Sequence, residues 1–188
     1  DVKGCGTHIN VLKQVHGVRW VADCSDDGAE ADAWLVSKTT SPGMYGVRSA
    51  DCCPILIVGE NYRAALHCGW KGAVRGLAAK LAAELRALGE TNLEAAFGPH
   101  ARVGDFEIGA EVAEEFLVAG GKGAVRYRRG KIFGDVSAIL RKQLEANGVR
   151  VVSECPISTL VSERLFSFRL EGDNGGRCVS AISSIVDR

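Results

Sequence analysis

The chain of 188 residues sets 23 Lys plus Arg against 23 Asp plus Glu, has zero formal net charge, and is 46% apolar. That length suits one domain with a real core, and the lack of a basic run argues against a nucleic-acid or anionic-membrane partner. No apolar run reaches the length of a membrane span, and the first residues lack the basic, apolar, small-residue order of a leader, so a soluble, cytoplasmic protein is expected.

Residues 1–10 carry Gly4 and Gly6 and no clear period, so the chain is expected to open on an irregular edge. Val11, Val15, Val18 and Val21, interrupted by Gly17, predict a strand, a tight bend at His16-Gly17 and a second strand. Residues 25–30 are polar and acidic, a surface loop, and residues 31–36 lead back to the core. Ser41-Pro42-Gly43 turns into a strand over 44–48, which delivers Ser49-Ala50-Asp51-Cys52-Cys53-Pro54. Residues 54–58 and 62–66 read as strands joined by Gly59-Glu60-Asn61 in an antiparallel hairpin. One strand begins just after Cys52 and its partner ends just before His67, so a thiol and an imidazole meet at one end of the sheet. Cys52 and Cys53 point to opposite faces in extended chain, and only one of them faces His67.

Beyond His67, the spacing of Val74, Leu77, Leu81, Leu85 and Leu88 predicts a helix over 72–88, stopped by Gly89. Its glycine-rich start beside Lys71 is a candidate anion site. Next come a strand over 93–97, a helix over 107–118, and a basic hairpin over 125–133 whose Arg126, Arg128, Arg129 and Lys131 guard an edge. Asp135 caps a helix running to Ala146. Three strands follow, over 149–153, 165–170 and 178–186, with Asp173-Asn174-Gly175-Gly176 turning between the last two. No repeat, low-complexity tract or linker divides the chain, so one domain is expected.

The seven cysteines form an odd set with no repeated spacing, which favours reduced thiols. Cys5, Cys24, Cys68 and Cys178 read as small buried hydrophobes. His16, Cys52 and His67 instead stand at strand ends or beside a loop glycine. Two imidazoles and a thiolate make a three-ligand set with a fourth position open, which suits a catalytic zinc and activation of water near pH ~7. Copper fits a His2Cys set with a distant Met, but the one Met, Met44, lies on the incoming strand, and four histidines are too few for multicopper chemistry. Without metal, Cys52 and His67 are a thiolate and imidazolium for a hydrolase, with Asp51 or Ser49 orienting the ring. The plainest alternative makes Cys52 and Cys53 core thiols and leaves the histidines to local hydrogen bonds. Spacing alone does not bring His16 to the hairpin, so these readings stay open.

Seven ordered motifs carry a resemblance from Gln14 onward: Gln14-Val15-His16-Gly17, Ala31-Asp32-Ala33, Ser49-Ala50-Asp51-Cys52-Cys53-Pro54, His67-Cys68-Gly69-Trp70-Lys71-Gly72, Gly98-Pro99, Phe106-Glu107-Ile108-Gly109, and Phe166-Ser167-Phe168-Arg169 with Gly176-Arg177. In this order they resemble the bacterial laccase-domain, or YfiH-like, family, also called a polyphenol oxidase family. The resemblance implies a single α/β domain with mixed β-sheets flanked by helices. It implies zinc on His16, Cys52 and His67, and a purine nucleoside enzyme that phosphorolyses adenosine or inosine and deaminates adenosine. Copper-dependent polyphenol oxidation is the alternative, a metal-free Cys-His hydrolase the next, and a zinc-stabilised partner-binding domain the non-enzymatic one. Asp51 is the candidate for moving a proton, and Lys71 and Arg169 for binding substrate or phosphate. The family has Arg where this chain has Lys71, which keeps the charge but loses the bidentate fork. Family members also carry a longer segment before the Gln-Val-His-Gly motif, including an Asn-Arg pair, whereas thirteen residues precede Gln14 here. The resemblance therefore implies that part of the family's N-terminal segment is lacking.

Overall fold

The structure, a computed structural model, describes residues 8–22, 27–40 and 43–184. Cys5, Cys24 and most of the irregular opening lie outside the described residues, as does Ser41-Pro42. The hairpin is where the strand pattern placed it. Strand β5 (Cys53–Val58) pairs antiparallel with β6 (Tyr62–Cys68), Pro54 opposite His67 and Cys53 opposite Cys68. It lies in the middle of a six-stranded mixed sheet ordered β11-β7-β5-β6-β3-β2, completed by β2 (Trp20–Val21), β3 (Ala33–Ser37), β7 (Leu93–Phe97) and β11 (Val149–Glu154).

A smaller sheet has β4 (Met44–Ser49) between β1 (Ile9–Val11), which is parallel to it, and β12 (Cys178–Ser183), which is antiparallel. The two-residue period of the strands sorts the side chains into two cores. Ala33, Leu35, Ile55, Ile57, Ala64 and Leu66 join Leu77, Leu81, Leu85, Ile139 and Leu140 from the helices α2 (Leu77–Ala87) and α4 (Val136–Ala146). Trp34, Val36 and Ala65 point the other way, onto Tyr45, Val47 and Ile182 of the small sheet. The large sheet is thus apolar on both faces, with helices on one side and three strands on the other. Asp135 caps α4 as expected, its carboxylate accepting from the Ala138 N–H at 2.9 Å. A third sheet orders β8 (Glu107–Ile108), β10 (Lys131–Gly134) and β9 (Val125–Arg128), and contains the expected basic hairpin, turned at Arg129 and Gly130 with φ of 51° and 73°.

Four expectations change. The helix over 72–88 is two helices, α1 (Trp70–Val74) and α2, because Gly76 adopts φ 80° and turns the chain between them. The leucine spacing runs through the break and hides it. Glu107 and Ile108 are strand residues paired with β10, and the helix α3 (Ala110–Gly120) starts after Gly109. Residues 165–170 hold no strand: Ser167 caps the short helix α5 (Phe168–Glu171), and a 3-10 turn over 172–174 follows. Phe166, Phe168 and Leu170 alternate as a strand would, yet they are exposed and bury no face. Cys178 is half-buried at the start of an edge strand, unlike the fully buried Cys68. Among the described residues no helix is long and apolar enough to cross a membrane.

Candidate metal centre

The chain passes from the small sheet to the large one twice, and each passage carries a potential ligand. His16 lies between β1 and β2, Cys52 between β4 and β5, and His67 on β6. One ligand atom from each of the three lies within 4.8 Å of the others. The Cys52 Sγ is 3.7 Å from His16 Nε2, and the two imidazoles meet edge to face at 4.8 Å between centroids. Cys53 points into the helix-side core instead, as strand alternation requires.

Asp32 builds this geometry, and the sequence reading gave it no role. Its side chain is fully buried and accepts from the N–H groups of His16 at 2.9 Å, Gly17 at 2.6 Å and Val15 at 3.3 Å. The same carboxylate takes His67 Nδ1 at 2.9 Å, and the Asp32 carbonyl accepts the His67 N–H at 2.7 Å. One acid therefore shapes the His16 loop, where His16 itself has φ 57°, and orients His67. A carboxylate only accepts, so it keeps the proton on Nδ1 and turns Nε2 toward Cys52. The ring's partner is Asp32, not Asp51 or Ser49. A signal was available: an acid inside the apolar run Ala31 to Val36 needs buried partners.

Gln14 fastens the same loop to β4, its amide donating to the Arg48 carbonyl at 2.6 Å and accepting the Arg48 N–H at 2.8 Å. Gly69 must lack a side chain, because a Cβ there would sit 2.9 Å from His16 Cδ2 and 3.0 Å from Cys52 Sγ.

The electrostatics follow from this packing. Burial pushes the Cys52 thiol up, but His16 and His67 outweigh it and hold the group at about 7. Burial pulls His67 down, and Asp32 and Cys52 outweigh that and raise it to about 9. Burial likewise pushes Asp32 up, and His67 with the Gly17 and His16 N–H groups keeps it below the ordinary carboxylate range. Cys53 and Cys68 are raised, first by burial. Alkylation of metal-stripped protein should therefore label Cys52 ahead of Cys53 and Cys68. Its rate should rise with pH through a midpoint of about 7, because the thiolate is the nucleophile. Peptide mapping against pH checks this, and His67→Ala should move the midpoint upward.

The three residues line a cavity of about 1120 Å3. Trp70, Phe106 and Phe168 give it aromatic walls, and Lys13, Arg48, Lys71, Arg75, Arg169 and Arg177 give it positive charge. Arg169 stacks on Phe106 at 4.6 Å and Arg177 on Phe168 at 5.3 Å. Among the described residues Asp51 is the one acid in the lining, and its carboxylate already accepts from Thr159 Oγ1 at 2.7 Å, Ser167 Oγ at 3.0 Å and the Arg169 N–H at 2.8 Å. Lys71 lies on α1 and Arg75, four residues on, caps its C-terminal end, and among the described residues neither has a carboxylate within ion-pair distance. Nothing in the sequence marks Arg75 for a role, because it lies within the expected continuous helix and in no motif.

The donor set fits a metal ion: soft thiolate, two imidazoles, and a carboxylate behind one of them. A model of the family described as multi-copper polyphenol oxidoreductase laccase matches residues 2–185. The chain belongs to that family. Among its relatives, a purine nucleoside phosphorylase of Aquifex aeolicus is 34% identical over 124 residues, which are 66% of this chain and 58% of that protein. One of Corynebacterium glutamicum is 29% identical over 87% of this chain and 70% of its own length. The adenosine deaminase RL5, from an unknown prokaryotic organism, is 34% identical over 74% of this chain and 57% of its own. A Neisseria meningitidis crystal structure superposes with a TM-score of 0.79 at 27% identity, covering 95% of this chain and 75% of that one. YfiH of Bacillus licheniformis gives a TM-score of 0.83 at 19% identity over 95% of this chain and 76% of that one, and shares the fold. The chain thus spans a little over half of the Aquifex aeolicus and RL5 proteins.

Proposed function

We propose that this chain is a zinc-dependent purine nucleoside enzyme that phosphorolyses adenosine- or inosine-type nucleosides and deaminates adenosine. The observation that carries the proposal is the His16, Cys52, His67 set lining a cavity with aromatic walls and excess positive charge. The relatives named as purine nucleoside phosphorylases and adenosine deaminase support the substrate class.

His16, Cys52 and His67 would hold the ion, which when bound supplies Lewis-acid activation of water or of a substrate oxygen at neutral pH. Asp32 keeps His67 in the liganding tautomer. Trp70, Phe106 and Phe168 present flat faces to a purine. Lys71, Arg75 and Arg169 neutralise phosphate, and Arg75 contributes the planar fork that Lys71 lacks. Lys71 and Arg75, with no carboxylate in ion-pair range among the described residues, stand four residues apart and repel each other, and a bound anion would relieve that repulsion. Lys71→Ala and Arg75→Ala should each raise the KM for phosphate about tenfold, since a hydrogen bond to a charged group contributes ~1.5–3 kcal/mol. Steady-state phosphorolysis at varied phosphate checks both, and an unchanged KM in the two variants would remove these residues from the phosphate site.

Zinc is proposed over copper on the donors present. His8 bonds to Asp27 and His100 is buried with Nδ1 on the Gly98 carbonyl, so neither of the other two histidines joins the set. Met44 begins β4 and Ser49 ends it, which places that Met roughly 17 Å along the strand from the ligand end. The metal-free hydrolase keeps one specific support, the Cys52, His67, Asp32 relay with its low thiol and raised imidazole. Metal analysis of purified protein, with adenosine and inosine assays before and after chelation, separates the readings. Zinc-dependent turnover supports the proposal. Activity that survives chelation and dies on Cys52 alkylation supports the hydrolase, and oxygen consumption with a phenol after copper loading supports the oxidase.

A further inference from the structure

Asp51 is the residue next to the Cys52 ligand, and its backbone stands at φ 82°, in the left-handed region that most side chains avoid. Its side chain reaches across the fold to a segment more than a hundred residues later. Oδ1 accepts from Thr159 Oγ1 at 2.7 Å, and Oδ2 accepts from Ser167 Oγ at 3.0 Å and from the Arg169 N–H at 2.8 Å. Thr159 and Ser167 are 2% and 1% exposed, so two of these bonds are closed to water. The Asp51 carbonyl accepts the Ala101 N–H at 2.9 Å, which ties the same residue to the loop after β7.

These bonds set the cavity wall. Ser167 Oγ, donating to Asp51, accepts the Leu170 N–H at 3.4 Å and so starts α5, whose first residues, Phe168 and Arg169, line the cavity. Arg169 is then steadied by stacking on Phe106 and by its Nη1, which donates to the Glu107 carbonyl at 2.6 Å. With three donors on its two oxygens, the carboxylate serves here as the acceptor that joins the two segments.

We propose that Asp51 is a positioning residue: it latches residues 158–171 to the Cys52 loop and so places Phe168 and Arg169 against the substrate, rather than moving a proton. The kinetic part rests on the purine nucleoside reading above; the structural part does not.

The test uses zinc-loaded full chain with three alterations. Asp51→Gly accepts the left-handed backbone and removes the latch. Thr159→Val with Ser167→Ala removes the side-chain donors and leaves Asp51 in place. Asp51→Asn keeps an acceptor for Ser167 and the Arg169 N–H, while its amide can donate to Thr159 Oγ1. Amide hydrogen exchange over 158–171 should quicken at least tenfold in Asp51→Gly and in the double variant, with zinc content unchanged. In both, the KM for phosphate should rise about tenfold, and adding Arg169→Ala should raise it little further. Asp51→Asn should lower kcat less than fivefold.

A hundredfold loss of kcat in Asp51→Asn with exchange unchanged would overturn the latch in favour of proton transfer, whose usual contribution is about 10²–10⁴. Unchanged exchange in Asp51→Gly would overturn it as well. If the unaltered chain turns over no purine nucleoside, the exchange measurement alone decides the latch, and the loss falls on the proposed function.

Discussion

Cys52→Ser should strip the protein of metal and of the proposed zinc-dependent activity together. Zinc in protein sites binds with roughly 10 kcal/mol or more, and one of three protein ligands carries about a third of that. Affinity should therefore fall by on the order of a hundredfold to a thousandfold. His67→Ala should act alike, since its Nε2 is the donor that Asp32 aims. Elemental analysis should find about one zinc per chain in the unaltered protein and little in either variant. Zinc retained by both would show that the ion sits elsewhere, and the centre proposed here would fall.

The second large effect belongs to Asp32. Asp32→Ala leaves the N–H groups of Val15, His16 and Gly17 and the Nδ1–H of His67 without their acceptor. Each buried unpaired group costs ~1–3 kcal/mol, so a stability loss of on the order of 3 kcal/mol or more is expected. Asp32→Asn separates folding from metal binding. Its oxygen can still accept from Gly17 and Val15, but its amide gives up the His16 N–H, faces His67 Nδ1 and drives the ring proton to Nε2, where a metal needs a lone pair. Asn should fold far better than Ala, yet lose metal affinity by about 10–100-fold. Thermal unfolding and zinc titration read the two effects apart. Equal zinc affinity in Asn and the unaltered chain would end the tautomer argument.

Asp32 also gives metal-free protein a pH dependence. Its carboxyl lies below the ordinary value of 3.8, so the folded state binds fewer protons there than the unfolded chain. The stability it contributes is present above about pH 4 and is lost as pH falls through the lower folded value.

Much of this centre was legible before the fold was known, for reasons that can be stated. The β5 and β6 strands bear β-branched or apolar residues either side of a turn, and antiparallel pairing then forces Cys52 and His67 to one end. Strand alternation separated Cys52 from Cys53 with no further information. His16 was different. Nothing in its spacing brings it to the hairpin, and the resemblance alone carried it there; in the fold it arrives through Asp32, a through-space bond that no periodicity records. Residues 165–170 failed for the opposite reason. Their alternation was real but served no buried face, and the force that shapes them is the Asp51 carboxylate, distant in the chain. The α1 and α2 break was invisible because Gly76 turns the backbone without disturbing the leucines on either side.

The double passage between sheets has a consequence for when an ion can enter. His16 and Cys52 are 36 residues apart, so an unfolded chain holding all three ligands would first have to close a long loop, and the β5–β6 hairpin alone offers only Cys52 and His67. Capture by all three ligands must wait until β1, β4 and β6 have taken their places. Added zinc should thus leave the refolding rate nearly unchanged and slow unfolding, the mark of an interaction formed after the transition state. The ion would act as a late lock between the two sheets, and its loss would shorten the life of the folded protein without hindering its birth.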